Sequence, residues 1–155
     1  MLSIERDLPR GLHEFINEMK QIYTMELVYT QCKPRFIHEF ALSRLKSQGF
    51  KLGLASNSIR STVDTMLHKA ALVGYFDLTL SSDDVKLPKP DSEIYSKAIK
   101  TFNLTPSEVL IIEDNENGVK AAKGSGSNVL VVRNVDEVNI ENILTKISEL
   151  NKAGV

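Results

Sequence analysis

The chain has 155 residues, enough for one substantial core with a small appendage and too few for two full domains. Its 19 basic and 20 acidic residues are interspersed and give a net charge near −1, so neither nucleic acid nor an anionic membrane surface is an expected partner. No apolar run approaches the ~20 residues of a membrane span, and Met1 to Asp7 lack a signal-peptide core, so the expectation is a cytoplasmic globular domain.

From Pro9 to about Tyr23, apolar residues at Leu12, Phe15, Ile16, Met19 and Ile22 or Tyr23 carry the spacing of a one-sided helix. Met25 to Thr30 either finish that helix or form a short strand. Pro34 suits a helix start, and Phe36, Ile37, Phe40, Ala41 and Leu45 continue an apolar face up to Gly49, the expected stop. Phe50 to Ala55 reads as a strand ending in Ser56-Asn57-Ser58. A helix over about 59–71 follows, with Ser58 as its cap.

Further on, Phe76 to Leu80 is a strand candidate and Ser81 to Asp91 a polar, proline-containing loop. Ser92 to Phe102 is a helix with Ile94, Tyr95, Ala98, Ile99 and Phe102 inward. Val109 to Ile112 is a buried strand followed by acids, Val119 to Lys123 a short helix ending in Gly124, Val129 to Val132 a strand, and Ile140 to Lys152 an amphipathic helix. Short strands alternating with helices of ten or more residues indicate a parallel sheet covered on both faces, a Rossmann-like α/β/α arrangement of three layers. Such sheets bind ligands at the carboxyl ends of their strands, where the clusters Ser56-Asn57-Ser58 and Glu113-Asp114-Asn115 both fall.

Ser56 lies between a strand end and a helix start, where free N–H groups favour an anion; capping of the helix by Ser56 and Ser58 explains the same residues equally well. Lys89 stands among prolines in an extended loop, where a preset cation can neutralise phosphoryl oxygens, although a lysine alone is usually solvated. Glu113 and Asp114 place two carboxylates where a buried strand emerges, and like charges so close repel unless a cation or water compensates. Hard oxygen ligands of this kind suit Mg²⁺, although acidic turns are common. Cys32 is alone, and His13, His38 and His68 have no metal-ligand spacing to one another.

Leu52-Gly53-Leu54-Ala55-Ser56-Asn57-Ser58, Lys89-Pro90-Asp91-Ser92-Glu93-Ile94-Tyr95 and Val109-Leu110-Ile111-Ile112-Glu113-Asp114-Asn115 occur in that order. Together they resemble motifs two, three and four of the haloacid dehalogenase-like superfamily, and in particular its beta-phosphoglucomutase-like subgroup. Ser92 replaces the second proline of the motif-three pattern, and Gly118 with Ala121-Ala122 extends the motif-four pattern. Phosphorelay receiver domains use a similar set, but with acids first and lysine last.

The resemblance implies a Mg²⁺-dependent phosphatase or phosphomutase of a small phosphorylated metabolite. In it Ser56 and Asn57 hold phosphoryl oxygens, Lys89 stabilises charge, and Glu113 with Asp114 anchor the metal. It also implies a partial helical cap over residues 1–33 and a core over 34–155. The family's motif one, an Asp-x-Asp strand bearing the nucleophile and the acid/base, occurs nowhere in these residues, and Asp7 lacks the context to replace it.

That strand lies centrally in the family's sheet, between the strands ending at Ser56 and at Glu113. Three readings follow. The chain is a truncated product whose gap is filled by strand slippage, by Met25 to Thr30 or by another chain, including self-association. Otherwise it is one part of a split enzyme, or a pseudoenzyme that binds phosphate or protein without catalysis. On each, the isolated chain is inactive or nearly so, and the selecting cap is too incomplete to name a substrate.

Overall fold

The fold is that of a computed structural model in which residues 9–152 and 154 are described; Asp7 and the rest of the first eight residues lie outside the described set. The chain divides into two units, Met1–Cys32 and Lys33–Val155.

Among the described residues, the first unit holds one helix, α1 (Arg10–Gln31). Met25 to Thr30 belong to it, so the strand alternative for that segment is not realised. The hydroxyls of Thr24 and Thr30 donate back to the carbonyls of Lys20 and Glu26 at 2.8 Å, which leaves these β-branched residues compatible with the helix. Leu12, Phe15, Ile16, Ile22, Tyr23 and Leu27 are exposed along it. No described helix is long and apolar enough to cross a membrane.

The second unit runs α2 (Phe36–Ser47), β1 (Gly53–Ala55), α3 (Arg60–Lys69), β2 (Leu78–Leu80), α4 (Glu93–Phe102), β3 (Leu110–Glu113), α5 (Glu116–Gly124), β4 (Asn128–Val131) and α6 (Ile140–Lys152). Gly49, at φ +84°, turns the chain out of α2 in the left-handed region that glycine enters without a Cβ penalty. Ser58 does not cap α3. Its N–H is taken by Ser56 Oγ at 3.1 Å, and the N-terminal position falls to Ile59, which makes no side-chain cap bond. Asp83 Oδ2 instead accepts the Arg60 N–H at 2.9 Å, a long-range substitute for a local cap.

The two strand pairs of the described residues are parallel: β1 with β2 (Gly53↔Leu78 to Ala55↔Leu80), and β3 with β4 (Leu110↔Asn128 to Glu113↔Val131). Among the described residues these are two separate two-stranded sheets, with no ladder joining β1 to β3. The bonds to β2 start from Leu52 O and end at Ser56 N, so the intervening Gly53 and Ala55 turn their backbone groups away from β2. By the same alternation, with Val109 O and Glu113 O bonded to β4, Leu110 and Ile112 turn theirs away from β4. Each sheet thus has an inner edge without a ladder.

Side-chain alternation sorts the strands onto two helical layers. Ile111, Leu80, Ala55, Leu78 and Val129 pack with Ile94, Tyr95 and Ala98 of α4 and Ala121 and Ala122 of α5. Leu110, Ile112, Leu130 and Leu52 pack with Leu42 and Leu45 of α2 and Ile140, Ile143, Leu144 and Ile147 of α6. Both clusters draw on both sheets, so the two sheets form the middle layer of an α/β/α sandwich, the three-layer architecture that the strand-helix alternation predicts.

At the end of β2, Ser81 is fully buried and its N–H and hydroxyl both donate to Asp84 Oδ2, at 2.7 and 2.8 Å. Arg60 pairs with the same carboxylate. These partners, the Ser81 N–H first, hold the Asp84 pKa below its ordinary value despite the opposing effect of desolvation. A carboxylate depressed in the folded state stabilises above its unfolded pKa and loses that stabilisation as pH falls through the folded value. Asp84→Asn is therefore expected to lose about 1–3 kcal/mol at neutral pH, with the deficit against the parent narrowing as both are acidified. Urea melts of both proteins across an acid pH series check this.

Candidate phosphate-handling site

Glu113 is the last residue of β3, two positions after Ile111, and so points to the same face, toward α4 and α5. Its side chain is 7% exposed. A carboxylate so deep needs compensation, and Lys89 supplies it: Nζ lies 2.5 Å from Glu113 Oε1, with the lysine side chain only 8% exposed. The compensation that Glu113 requires is therefore internal to the protein.

The ammonium makes two further bonds, to the Ala55 carbonyl at 3.1 Å and to Tyr95 Oη at 2.7 Å. Tyr95 in turn donates its hydroxyl to Glu113 Oε1. Lys89 thus ties the carboxyl end of β1 to that of β3, where no ladder joins the strands. Burial first, then the hydrogen bond and charge of Glu113 and the charge of Asp114, push the Tyr95 pKa far upward, so its proton stays in place as a donor.

Asn57 fixes the loop that carries Lys89. Its Oδ1 accepts the Lys89 N–H at 3.0 Å and its Nδ2 donates to the Lys89 carbonyl at 3.2 Å, a reciprocal pair that docks the loop against the end of β1. Ser56 stands beside it, its N–H closing the β1–β2 ladder on Leu80 O at 2.9 Å and its hydroxyl accepting from Ser58 N. Ser56, Asn57, Lys89 and Glu113 therefore meet at one strand-end locus. In this state the Asn57 side chain and the Lys89 ammonium are engaged within the protein.

Asp114 is exposed beside this group. Asn115 Nδ2 donates to Asp114 Oδ1 at 3.1 Å and weakly to Glu113 Oε2 at 3.4 Å, while Asn115 Oδ1 caps α5 by accepting the Gly118 N–H at 2.9 Å. Among the described residues no set of three or more His, Cys, Asp or Glu side chains could hold a metal. Asp114 and Glu113 Oε2 remain as adjacent hard oxygen donors, a set that fits Mg²⁺ when it takes one or two carboxylates and completes its shell with water and phosphate.

Three participants escaped the sequence reading as site residues. Tyr95 falls on the inward face of α4 and reads there as core; its place in the Lys-Pro-Asp-Ser-Glu-Ile-Tyr segment was the available signal. Asn115 is the α5 cap. Gly118 is a fit: a Cβ built there would lie 2.0 Å from Glu113 Oε2 and 2.1 Å from its Cδ. Helix propensity alone makes Gly118→Ala stabilising by roughly 0.5–1 kcal/mol. The clash with a carboxylate locked by Lys89 and Tyr95 reverses the sign, and Gly118→Ala is expected to destabilise by about 1–3 kcal/mol, checked by denaturant unfolding; a gain in stability would contradict the packing described.

The sequence profile of the family described as haloacid dehalogenase-like hydrolase matches residues 4–132. Among curated relatives, the chain is 38% identical over 86 residues to a phosphorylated carbohydrates phosphatase of Thermotoga maritima, covering 56% of this chain and 40% of that protein. It is 36% identical over 86 residues to the pyrophosphatase PpaX of Bacillus velezensis, with the same coverage. The matched part of the chain thus spans 40% of the length of these two relatives. In fold it is similar to a beta-phosphoglucomutase of Clostridium difficile, with TM-score 0.75 and 23% identity over 94% of this chain and 71% of that one. By the extent of the family match, together with the α/β/α architecture, the chain belongs to the haloacid dehalogenase-like hydrolase family.

Proposed function

We propose that this chain forms the phosphate-handling part of a Mg²⁺-dependent phosphatase or phosphomutase of a small phosphorylated metabolite, and that it lacks turnover by itself. The observation that carries this reading is the buried Lys89 at the junction of the β1 and β3 ends, with Ser56, Asn57, Glu113 and Asp114 around it. Phosphoryl transfer needs chiefly positioning and charge neutralisation, and these residue types supply both. The names of the matched relatives, a phosphatase of phosphorylated carbohydrates and a pyrophosphatase, support the same class of chemistry.

In this mechanism the Ser56 hydroxyl and the Asn57 region bind phosphoryl oxygens at the end of β1. Lys89 offers positive charge to the oxygens as negative charge develops. Asp114, with Glu113 Oε2, would hold Mg²⁺, which would supply neutralisation of charge on the transferring group. The attacking carboxylate would come from an Asp-x-Asp strand outside these 155 residues, such as one on a complementing chain, and the inner edges of β1 and β3 offer it parallel pairing. Residues 1–33, with helix α1, are part of a helical cap, 34–155 are the core, and the working compartment is the cytoplasm.

One observation favours a second reading, a non-catalytic module that binds phosphate or protein: Lys89 is already neutralised by Glu113. The two readings separate in one experiment. On the catalytic reading, the purified chain alone leaves a generic aryl phosphate intact, as loss of a covalent nucleophile costs on the order of 10⁶ in turnover. Adding a peptide with an apolar Asp-x-Asp strand restores Mg²⁺-dependent hydrolysis, and Asp114→Ala abolishes the metal response. Unchanged Mg²⁺ affinity in that variant would sink the metal assignment, and silence from a folded chain with the peptide would favour the module.

A further inference from the structure

An ammonium group has three protons to donate, and at Lys89 each has an acceptor within the protein: Ala55 O at 3.1 Å, Tyr95 Oη at 2.7 Å and Glu113 Oε1 at 2.5 Å. The acceptors come from three elements, β1, α4 and β3, and Lys89 itself from a loop held by Asn57. Tyr95 is the member that touches both ions. Its hydroxyl accepts from Lys89 and donates to Glu113 Oε1, and Nζ lies 4.6 Å from its ring centroid. Tyr95 is 7% exposed and belongs to the α4–α5 core cluster, so the hydroxyl is aimed by packing rather than by its own torsional freedom.

We infer that Tyr95 is a positioning residue: its hydroxyl fixes the Lys89 ammonium and selects which oxygen of Glu113 faces it, so that an anion reaches Lys89 by displacing the Ala55 carbonyl while Tyr95 and Glu113 stay in place. Ala55 O is the longest of the three contacts and the only one from a group outside the Tyr95–Glu113 pair. With Oε1 of Glu113 committed to Lys89 and Tyr95, Oε2 is the oxygen left to Asn115 Nδ2, which also donates to Asp114 Oδ1. The sorting of the two oxygens is thus a consequence of the tyrosine hydroxyl, whichever ligand the site takes. The displacement by phosphate rests on the functional reading above; the positioning of Lys89 does not.

The test is proton exchange at the lysine ammonium, observed by ¹H–¹⁵N NMR of the full chain, where only ammonium groups shielded by hydrogen bonds give resolved signals. Lys89→Arg identifies the signal. The expected result is a protected Lys89 signal in the parent, with cross-relaxation to the Tyr95 ring. In Tyr95→Phe, which keeps the ring and removes only the hydroxyl, exchange is expected to accelerate at least about tenfold, on the scale of one lost charge-assisted bond. A folded Tyr95→Phe protein with unchanged Lys89 exchange would overturn the inference. Should that variant fail to fold, the parent decides alone: no Lys89 signal, or no contact to the Tyr95 ring, overturns it. Inorganic phosphate with Mg²⁺ is then added to the parent. A shift of the Lys89 signal with the Tyr95 contact retained supports displacement of Ala55 O, and loss of that contact contradicts it. A signal indifferent to phosphate refutes the phosphate reading while the positioning of Lys89 by Tyr95 stands.

Discussion

The structure depends on one buried ion pair, Lys89 with Glu113, each side chain less than a tenth exposed. Taking two charges out of water is unfavourable by several kcal/mol per ion, and their attraction offsets this only when geometry is good and the remaining protons and lone pairs are satisfied. Here they are: Tyr95 and Ala55 complete the lysine, and Tyr95 and Asn115 attend the glutamate. No buried side-chain polar atom among the described residues lacks a partner. Such a pair adds little net stability over an apolar replacement, but removing one partner strands the other charge. Its consequence is therefore specificity of position, because it fixes a cation at the one place where the ends of β1 and β3 approach the same group.

That place matters because the sheet is interrupted. The β1–β2 and β3–β4 ladders are each complete, yet nothing in the described backbone joins them. The helical layers span both sheets, so packing holds the halves together where hydrogen bonding does not. Unpaired strand edges leave backbone donors and acceptors to water or to another chain, and natural proteins seldom leave them open in the middle of a core. Lys89, donating to the Ala55 carbonyl that turns away from β2, satisfies part of one such edge. The same contact places structural and functional demands on a single atom, since the proton given to Ala55 is the one that an incoming anion would need.

Much of this was legible in the residues. Helix periodicity located α2, α3, α4 and α6 within two residues, most clearly for α4 and α6, whose apolar faces are buried in the two core clusters. The first two strands were read too long, over 50–55 and 76–80, because the strand register with β2 covers only Gly53–Ala55 against Leu78–Leu80, while β3 and β4 fall within one residue of their expected spans. The order hydroxyl, lysine, acids pointed to one locus, and the structure brings Ser56, Asn57, Lys89 and Glu113 to it.

The partners were not legible. Asp83 caps a helix from 23 positions away, and Lys89 pairs with Glu113 across 24, contacts that no local rule encodes. Tyr95 reads as core because its ring is core; only the hydroxyl belongs to the site. The acidic pair was read as needing a cation or water, and for Glu113 that cation is the chain's own lysine.

The central claim is that Lys89 and Glu113 act as one unit. A double-mutant cycle with Lys89→Met and Glu113→Gln, read by equilibrium unfolding at neutral pH, measures it directly. The account predicts that each single variant loses about 3–5 kcal/mol, with the double variant losing far less than the sum and a coupling of at least about 2 kcal/mol. Additive losses, with coupling below about 0.5 kcal/mol, would contradict it and show the two groups to be independently solvated.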